Sequence, residues 1–327
     1  MQGLIFSRFS WYSQFCTKRK AGKKSTKEER RFNMKKETQK AQKNTLQISS
    51  KSADALLLLV AVIWGGGFIA GKVGLETASP LWILFFRFGL AALCMGCLFF
   101  RQIRKTDKQT IRRGALLGVL QLTALFIQLF ALQYTTTAKQ SFLAATYVLF
   151  TPFIARLMLH KKILPQNYIA SVLALAGIAF LSLRGSEEIQ IGDFITLGFA
   201  LIFSIQIVLI GQYSQTGEVI PLTFYQLLSS AVLAGIAAFC TGLPAEAISM
   251  RSWMGILYLG VVNTAVAFGV QNFAQKYTSE SHAALLLSLE SVFGLLLSIW
   301  FYDAAVTVWM GIGCALIFAA LLVSNRR

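Results

Sequence analysis

The 327-residue sequence predicts an all-α polytopic membrane protein with ten transmembrane helices arranged as two inverted five-helix repeats. Three observations carry that prediction. The chain is 55% hydrophobic and 14% charged, whereas a soluble domain carries about 25% charged residues. Ten apolar segments approach the roughly 20 residues that a helix needs to cross a hydrocarbon layer about 30 Å thick. Finally, the chain aligns on itself at an offset of 143.

A crossing segment must satisfy its own backbone N–H and C=O groups, so each apolar stretch is read as a helix. The segments are 54–73, 80–100, 112–134, 140–159, 166–183, 193–212, 221–241, 252–274, 281–301 and 305–324. The fifth is short, and the ninth contains an acid. Short connections leave no room for a soluble domain beyond the first 50 or so residues. The expected organisation is a disordered basic tail over 1–52 and two five-helix units over 53–185 and 190–325.

The formal net charge of +17 is unevenly placed. Residues 1–52 hold 14 Lys+Arg and three acids, Glu28, Glu29 and Glu37. Runs such as KRKAGKKSTKEERR bury too little apolar surface to order themselves. The tail is expected to lie on anionic inner-leaflet lipids, each nearby basic residue contributing about 1 kcal/mol. Nucleic acid is not an expected partner, because Trp11, Tyr12 and Phe15 precede the basic cluster instead of interleaving with it. Translation starts at Met1 or at Met34, where MKKETQKAQK makes an ordinary short cytoplasmic start. With the N-terminus inside, 26 of the 31 Lys and Arg fall on the inner side and only Lys72, Lys139, Arg184 and Arg251 on the outer. The basic residues of short loops mark the cytoplasmic side, so both termini are expected to be cytoplasmic in a plasma-membrane protein.

At the offset of 143, ALQYTTTAKQSFLAATYVLFTPF (131–153) falls on AQKYTSESHAALLLSLESVFGLL (274–296). Spans 3–4 then correspond to spans 8–9, and the repeat unit is five helices. An odd number of crossings places two consecutive units in opposite orientations, an architecture of secondary transporters in which the site lies where the halves meet.

The sequence also resembles the EamA-type transporters of the drug/metabolite transporter superfamily over about residues 53–325. The carriers are AVIWGGGFIAGKVGLETASPLW (61–82), FRFGLAAL (86–93), YTTTAKQSFLAATYVLFTPF (134–153) and YTSESHAALLLSLESVFGLLLSIWFYDAAVT (277–307). The chain departs from that family in having Glu290-Ser291 where Glu-Pro is frequent, and Asp303 where a Glu is usual. The resemblance implies a 5+5 fold of EamA-like repeats, with a central cavity lined mainly by spans 1, 3, 4, 6, 8 and 9. It also implies transport of a small metabolite or amino-acid-like solute, usually outward.

Charges inside a membrane are costly and so tend to serve a purpose. Glu290 is the sole acid near the middle of a span; it can take up and release a proton as a cavity opens to alternate sides, or simply hydrogen-bond a neighbouring helix as a neutral acid. Tyr147 occupies the equivalent repeat position; it can stack on or hydrogen-bond a solute, with an ordinary buried aromatic as the simpler reading. Arg87, seven residues into the second span, is expected to snorkel to the interface, with a cavity cation as the alternative. The mid-span amides Gln121, Gln128, Gln206, Asn263 and Gln271 can bond either a solute or another helix, and two of the five are expected to line the cavity. Trp64 and Gly65-Gly66-Gly67 interrupt the first span, allowing close packing or local unwinding. Gly67/Gly71 and Gly114/Gly118 have the spacing of tight helix packing.

No phosphate loop, HExxH or Asp-rich metal motif is present, so an enzyme is not expected, nor is a cofactor or metal. Cys94 and Cys97 are read as small core side chains. The expected function is secondary transport across the cytoplasmic membrane by alternating access, as proton-coupled efflux. A membrane-embedded enzyme and a non-transporting scaffold are the alternatives. A small solute and the bilayer are the expected partners, with homodimerisation left open.

Overall fold

The computed structural model describes residues 49–135, 137–160, 162, 164–182, 190–216, 218–242, 247–302 and 308–324. Among these residues all regular structure is helical. The tail before Ser49, and Lys161, Arg184, Asp303, Arg326 and Arg327, lie outside the described residues.

The elements are α1 (Ser50–Gly74), α2 (Pro80–Ile103), α3 (Lys108–Ala131), α4 (Thr137–Ala145), α5 (Tyr147–Leu159), α6 (Pro165–Ser182), α7 (Ile191–Thr216) and α8 (Val219–Cys240). They continue with α9 (Met250–Leu257), a π-helix (Tyr258–Val266), α10 (Ala267–Ala274), α11 (Glu280–Leu287), α12 (Glu290–Tyr302) and α13 (Val308–Ser324). Local chemistry sets the starts. Ser49 and Ser249 accept hydrogen bonds from the N–H groups of Ser52 and Ser252, and Pro80 opens α2, which satisfies or removes donors that a helix cannot use internally. Asp107 accepts bonds from the Thr110 hydroxyl and the Gln109 and Thr110 N–H groups. These bonds, that of the Thr110 hydroxyl foremost, hold its carboxyl below the usual carboxylate range.

Among the described residues seven helices are long and apolar enough to cross a membrane: α1, α2, α3, Gln140–Leu159, Ile191–Gln215, α8 and Met250–Ala274. Pro165–Phe180 and Gly311–Ser324 are shorter apolar helices. The segment expected as one span over 281–301 is instead two helices, α11 and α12, divided at Ser288 and Leu289. The expected span 140–159 is likewise divided, at Thr146. The cause is the same in both. Leu289 N–H bonds to Leu286 O and Thr146 N–H to Leu143 O, each three residues back. The Ser288 hydroxyl bonds to Leu285 O and the Thr146 hydroxyl to Leu143 O, so a side chain competes for the ladder where it tightens.

The internal repeat is visible in these boundaries. Helices end at Ala131 and Ala274, resume at Thr137 and Glu280, and restart after their breaks at Tyr147 and Glu290. Each pair lies 143 residues apart. Helix directions follow from contacts at the ends. Gly71 packs on Leu129, so α1 and α3 finish side by side, and Gly192 at the start of α7 meets the Ala131 and Tyr134 carbonyls. The Arg113 guanidinium lies 5.0 Å from the Tyr213 ring, which joins the start of α3 to the end of α7. At the far ends of α1, Thr77 bonds to Ser252 near the start of α9, and Asp54 lies 3.3 Å from His282 of α11.

Apolar side chains point outward as well as inward: Leu98 and Leu157 are 75% and 74% exposed, while Gln121, Gln206, Gln226 and Gln271 are fully buried. That inversion suits lipid as solvent. Cys97 is exposed and Cys94 only partly buried, which corrects the reading of that pair as core; in an apolar span a small thiol sits as well against lipid as against protein.

α1 runs unbroken through Gly65-Gly66-Gly67, so these glycines serve close approach and not unwinding. A methyl at Gly65 would lie 2.7 Å from the Gly294 nitrogen of α12. At Gly118, which brings α3 against α8, it would overlap the Gln226 carbonyl oxygen and the Ser229 hydroxyl. Gly118→Ala is expected to lower the thermal midpoint of the detergent-purified protein, since overpacking costs about 1–3 kcal/mol. Gly198→Ala, with nothing within 4 Å of its added methyl, is the control, and equal midpoints would show that the contact is not tight.

Candidate functional site

A cavity of about 40 Å3 lies among α1, α2, α3, α4, α7, the π-helix, α10 and α12. It is lined by Trp64, Gly67, Phe68 and Gly71 of α1, Arg87, Gln128, Gln140, Phe199, Phe203, Asn263, Phe268 and Glu290, with leucines of α3. Its volume admits about three waters. Both repeats contribute, and it sits toward the end where α1 and α3 finish and α7 begins.

The aromatic wall is built around Trp64. Its ring centroid lies 5.6 Å from that of Phe203 and 5.1 Å from that of Phe268. Its indole N–H donates to the Asn263 carbonyl at 3.1 Å. That carbonyl belongs to the π-helix, whose wide turns disturb the regular ladder. The Asn263 amide and the Tyr258 hydroxyl both donate to the Ile63 carbonyl. Gly66 and Gly67 admit the two side chains, lying against the Tyr258 hydroxyl and the Asn263 amide.

Arg87 does not snorkel. It is 4% exposed, its Nε donates to Thr264 Oγ1 at 2.5 Å, and a terminal nitrogen donates to Asn263 Oδ1 at 2.7 Å. The reason is local: the π-helix presents two neighbouring side-chain acceptors to α2, which hold the guanidinium inside. It has no carboxylate within ion-pair distance among the described residues, and it lines the cavity. The site therefore contains a desolvated cation with fork geometry and only neutral protein partners.

Glu290 lines the same cavity and is 5% exposed. Tyr147, fully buried, donates its hydroxyl to Glu290 Oε1 at 3.3 Å. The two residues that open the second half of each broken helix thus meet across the repeat interface. Tyr147 does not line the cavity; its ring packs 5.1 Å from Phe203. The Ser291 hydroxyl, one residue on, donates to the Ser141 carbonyl at 2.8 Å.

Of the five mid-span amides, Gln128 and Asn263 line the cavity. Gln121 and Gln206 lie elsewhere, in a buried amide cluster. Gln121 Oε1 accepts from Gln206 at 3.0 Å and also from Gln226, and the Asn272 amide donates to Gln226 and Thr223, both at 2.9 Å. Gln271 is fully buried, and neither atom of its amide has a partner among the described residues. Gln140, Gln226, Asn272 and Thr223 were not singled out by sequence reasoning. Gln140 lines the cavity and donates to the Gln128 carbonyl at 2.6 Å; a search for amides inside apolar runs would have reached it and Gln226.

A multi-pass helical membrane protein with a polar cavity enclosed by an internal repeat is the architecture of a solute carrier. The EamA-like transporter family model matches residues 51–183 and 190–326, one copy for each repeat, and the chain belongs to that family. It is 32% identical to an uncharacterized transporter of Archaeoglobus fulgidus, over 84% of this chain and 86% of the relative. It is 25% identical to a probable amino-acid metabolite efflux pump of Escherichia coli, over 84% and 95% of the two chains. A solved crystal structure shares the fold, with a TM-score of 0.71 at 16% identity over 84% of this chain and 96% of its own.

Proposed function

We propose that the protein is a secondary transporter exporting an amino-acid-like solute from the cytoplasm in exchange for protons. The observation that carries this reading is that one cavity holds both Arg87 and Glu290. Arg87 receives the solute carboxylate on N–H groups left over from Asn263 and Thr264. Glu290, held by Tyr147, exchanges a proton with whichever face is open and meets the solute ammonium when ionised. Gln128, Asn263 and Trp64 complete the wall. Gln121 and Gln206, bonded to each other, brace the helices behind it in this state. A cavity of about 40 Å3 must widen to admit such a solute, which agrees with alternating access.

In this reading the chain crosses the plasma membrane ten times, with repeats over 53–185 and 190–325, both termini in the cytoplasm and the basic tail over 1–52 on anionic lipid. The support for inversion is directional: α1 ends beside the end of α3, whereas its repeat mate α7 begins there. The similarity to a relative named as a probable amino-acid metabolite efflux pump favours the solute class.

The test is flux of a radiolabelled L-amino-acid mixture in proteoliposomes under an imposed pH gradient. Saturable, gradient-dependent flux is expected. Unsaturable flux would indicate a pore, and absence of flux for every amino acid would refute this solute class.

A further inference from the structure

The cavity residues Gly71, Gln128, Leu129 and Leu132 have counterparts 143 positions later: Ser214, Gln271, Asn272 and Gln275. None of the four counterparts lines the cavity, and all are at most 1% exposed. Each also has a side-chain atom without a hydrogen-bond partner among the described residues: Ser214 Oγ, both amide atoms of Gln271, Asn272 Oδ1 and Gln275 Oε1. Buried polar groups are ordinarily paired. Asp54, Gln121, Gln140 and Gln206 also hold such an atom among the described residues, but Ser214, Gln271, Asn272 and Gln275 share one further property, that each is the repeat-equivalent of a residue of the cavity wall.

Their position gives a reason. Ser214 lies in the last turn of α7, Gln271 and Asn272 in the last turn of α10 and Gln275 just after it, and the residues that follow Ser214 and Gln275, Gln215 and Lys276, line a second cavity of about 580 Å3 together with Tyr277, Ser279 and His282. The polar groups therefore run from beneath the aromatic wall, at Phe268, to the edge of an open cleft.

We propose that Ser214, Gln271, Asn272 and Gln275 form a second solute-binding station, shut here and opened when the two repeats exchange conformations. Opened, it joins the central cavity to the cleft. It takes the uncharged polar groups of the solute, hydroxyl, amide or carbonyl, because its four side chains are neutral and offer both donors and acceptors. The inference rests on the transporter reading.

Two measurements test it. With the native cysteines replaced by serine, Gln271→Cys and Ser214→Cys are exposed to a membrane-impermeant methanethiosulfonate from either face of sealed vesicles. The expected result is labelling from the cleft face only, faster than at Ile178→Cys, whose site is fully buried in the apolar cluster with Leu289 and Ile317. Labelling no faster than this control from both faces overturns the path. Gln271→Leu, checked for an unchanged elution profile, is expected to lower radiolabelled amino-acid flux about tenfold, one hydrogen bond's worth, with Gln271→Asn restoring part of it. Flux equal to the parent overturns the station. A parent that moves no amino acid defeats the transport reading, while the labelling still decides whether the path exists.

Discussion

Glu290→Gln is expected to abolish proton-driven accumulation of solute while leaving the protein folded. Glutamine keeps the shape of the side chain and an oxygen that can accept the Tyr147 hydroxyl, bonded in the native protein at 3.3 Å, so the contact between the repeats survives. What it lacks is a titratable proton. One proton moved per solute supports about a tenfold accumulation ratio for each pH unit of gradient, because one unit corresponds to roughly 1.4 kcal/mol. Accumulation in vesicles under a one-unit gradient should therefore fall from about tenfold to none, while downhill exchange continues. Tyr147→Phe, which removes the hydroxyl and leaves the carboxyl, should retain accumulation. Unchanged accumulation in Glu290→Gln would assign the proton step to another group or remove it.

Arg87→Met should have the next largest effect. Methionine fills similar space, but it removes the guanidinium and deprives Asn263 Oδ1 and Thr264 Oγ1 of the donors they hold at 2.7 and 2.5 Å. Hydrogen bonds to charged groups are worth about 1.5–3 kcal/mol, so the KM for amino acids should rise roughly 10- to 100-fold. Arg87→Lys keeps the charge without the fork and should fall between the two. The decisive comparison uses amino-acid methyl esters, which lack the carboxylate. Their transport should respond little to Arg87→Met, and an equal loss for acid and ester would mean that Arg87 supports the wall and does not touch the solute.

The consequences of these substitutions were only partly legible in the sequence. Glu290 and Tyr147 could be paired from the offset of 143 alone, because a repeat relates residues without any knowledge of packing. That they touch could not be read, since contact depends on how far each half-helix turns about its axis. The breaks at Thr146 and at Ser288–Leu289 were missed because neither contains Pro or Gly. The signal was a hydroxyl within an apolar run, bonding three residues back. Arg87 was misjudged for a related reason. Seven residues from a span's start, an arginine reaches water if nothing nearer accepts its N–H groups; here Asn263 and Thr264 do, from a π-helix 176 residues further along the chain.

The sequence by itself determined the apolar segments, the repeat and the family, because all three are linear: hydropathy, spacing and residue order need no third dimension. Only the tertiary structure decided which face of each helix turns inward. In a bilayer, lipid and protein interior are alike apolar, so hydropathy hardly distinguishes Leu98, exposed on the helix surface, from Leu117, fully buried. The few polar groups mark the inner face, and their partners lie on other helices. The meeting of Arg87, Glu290 and Asn263 around one cavity is therefore a property of packing.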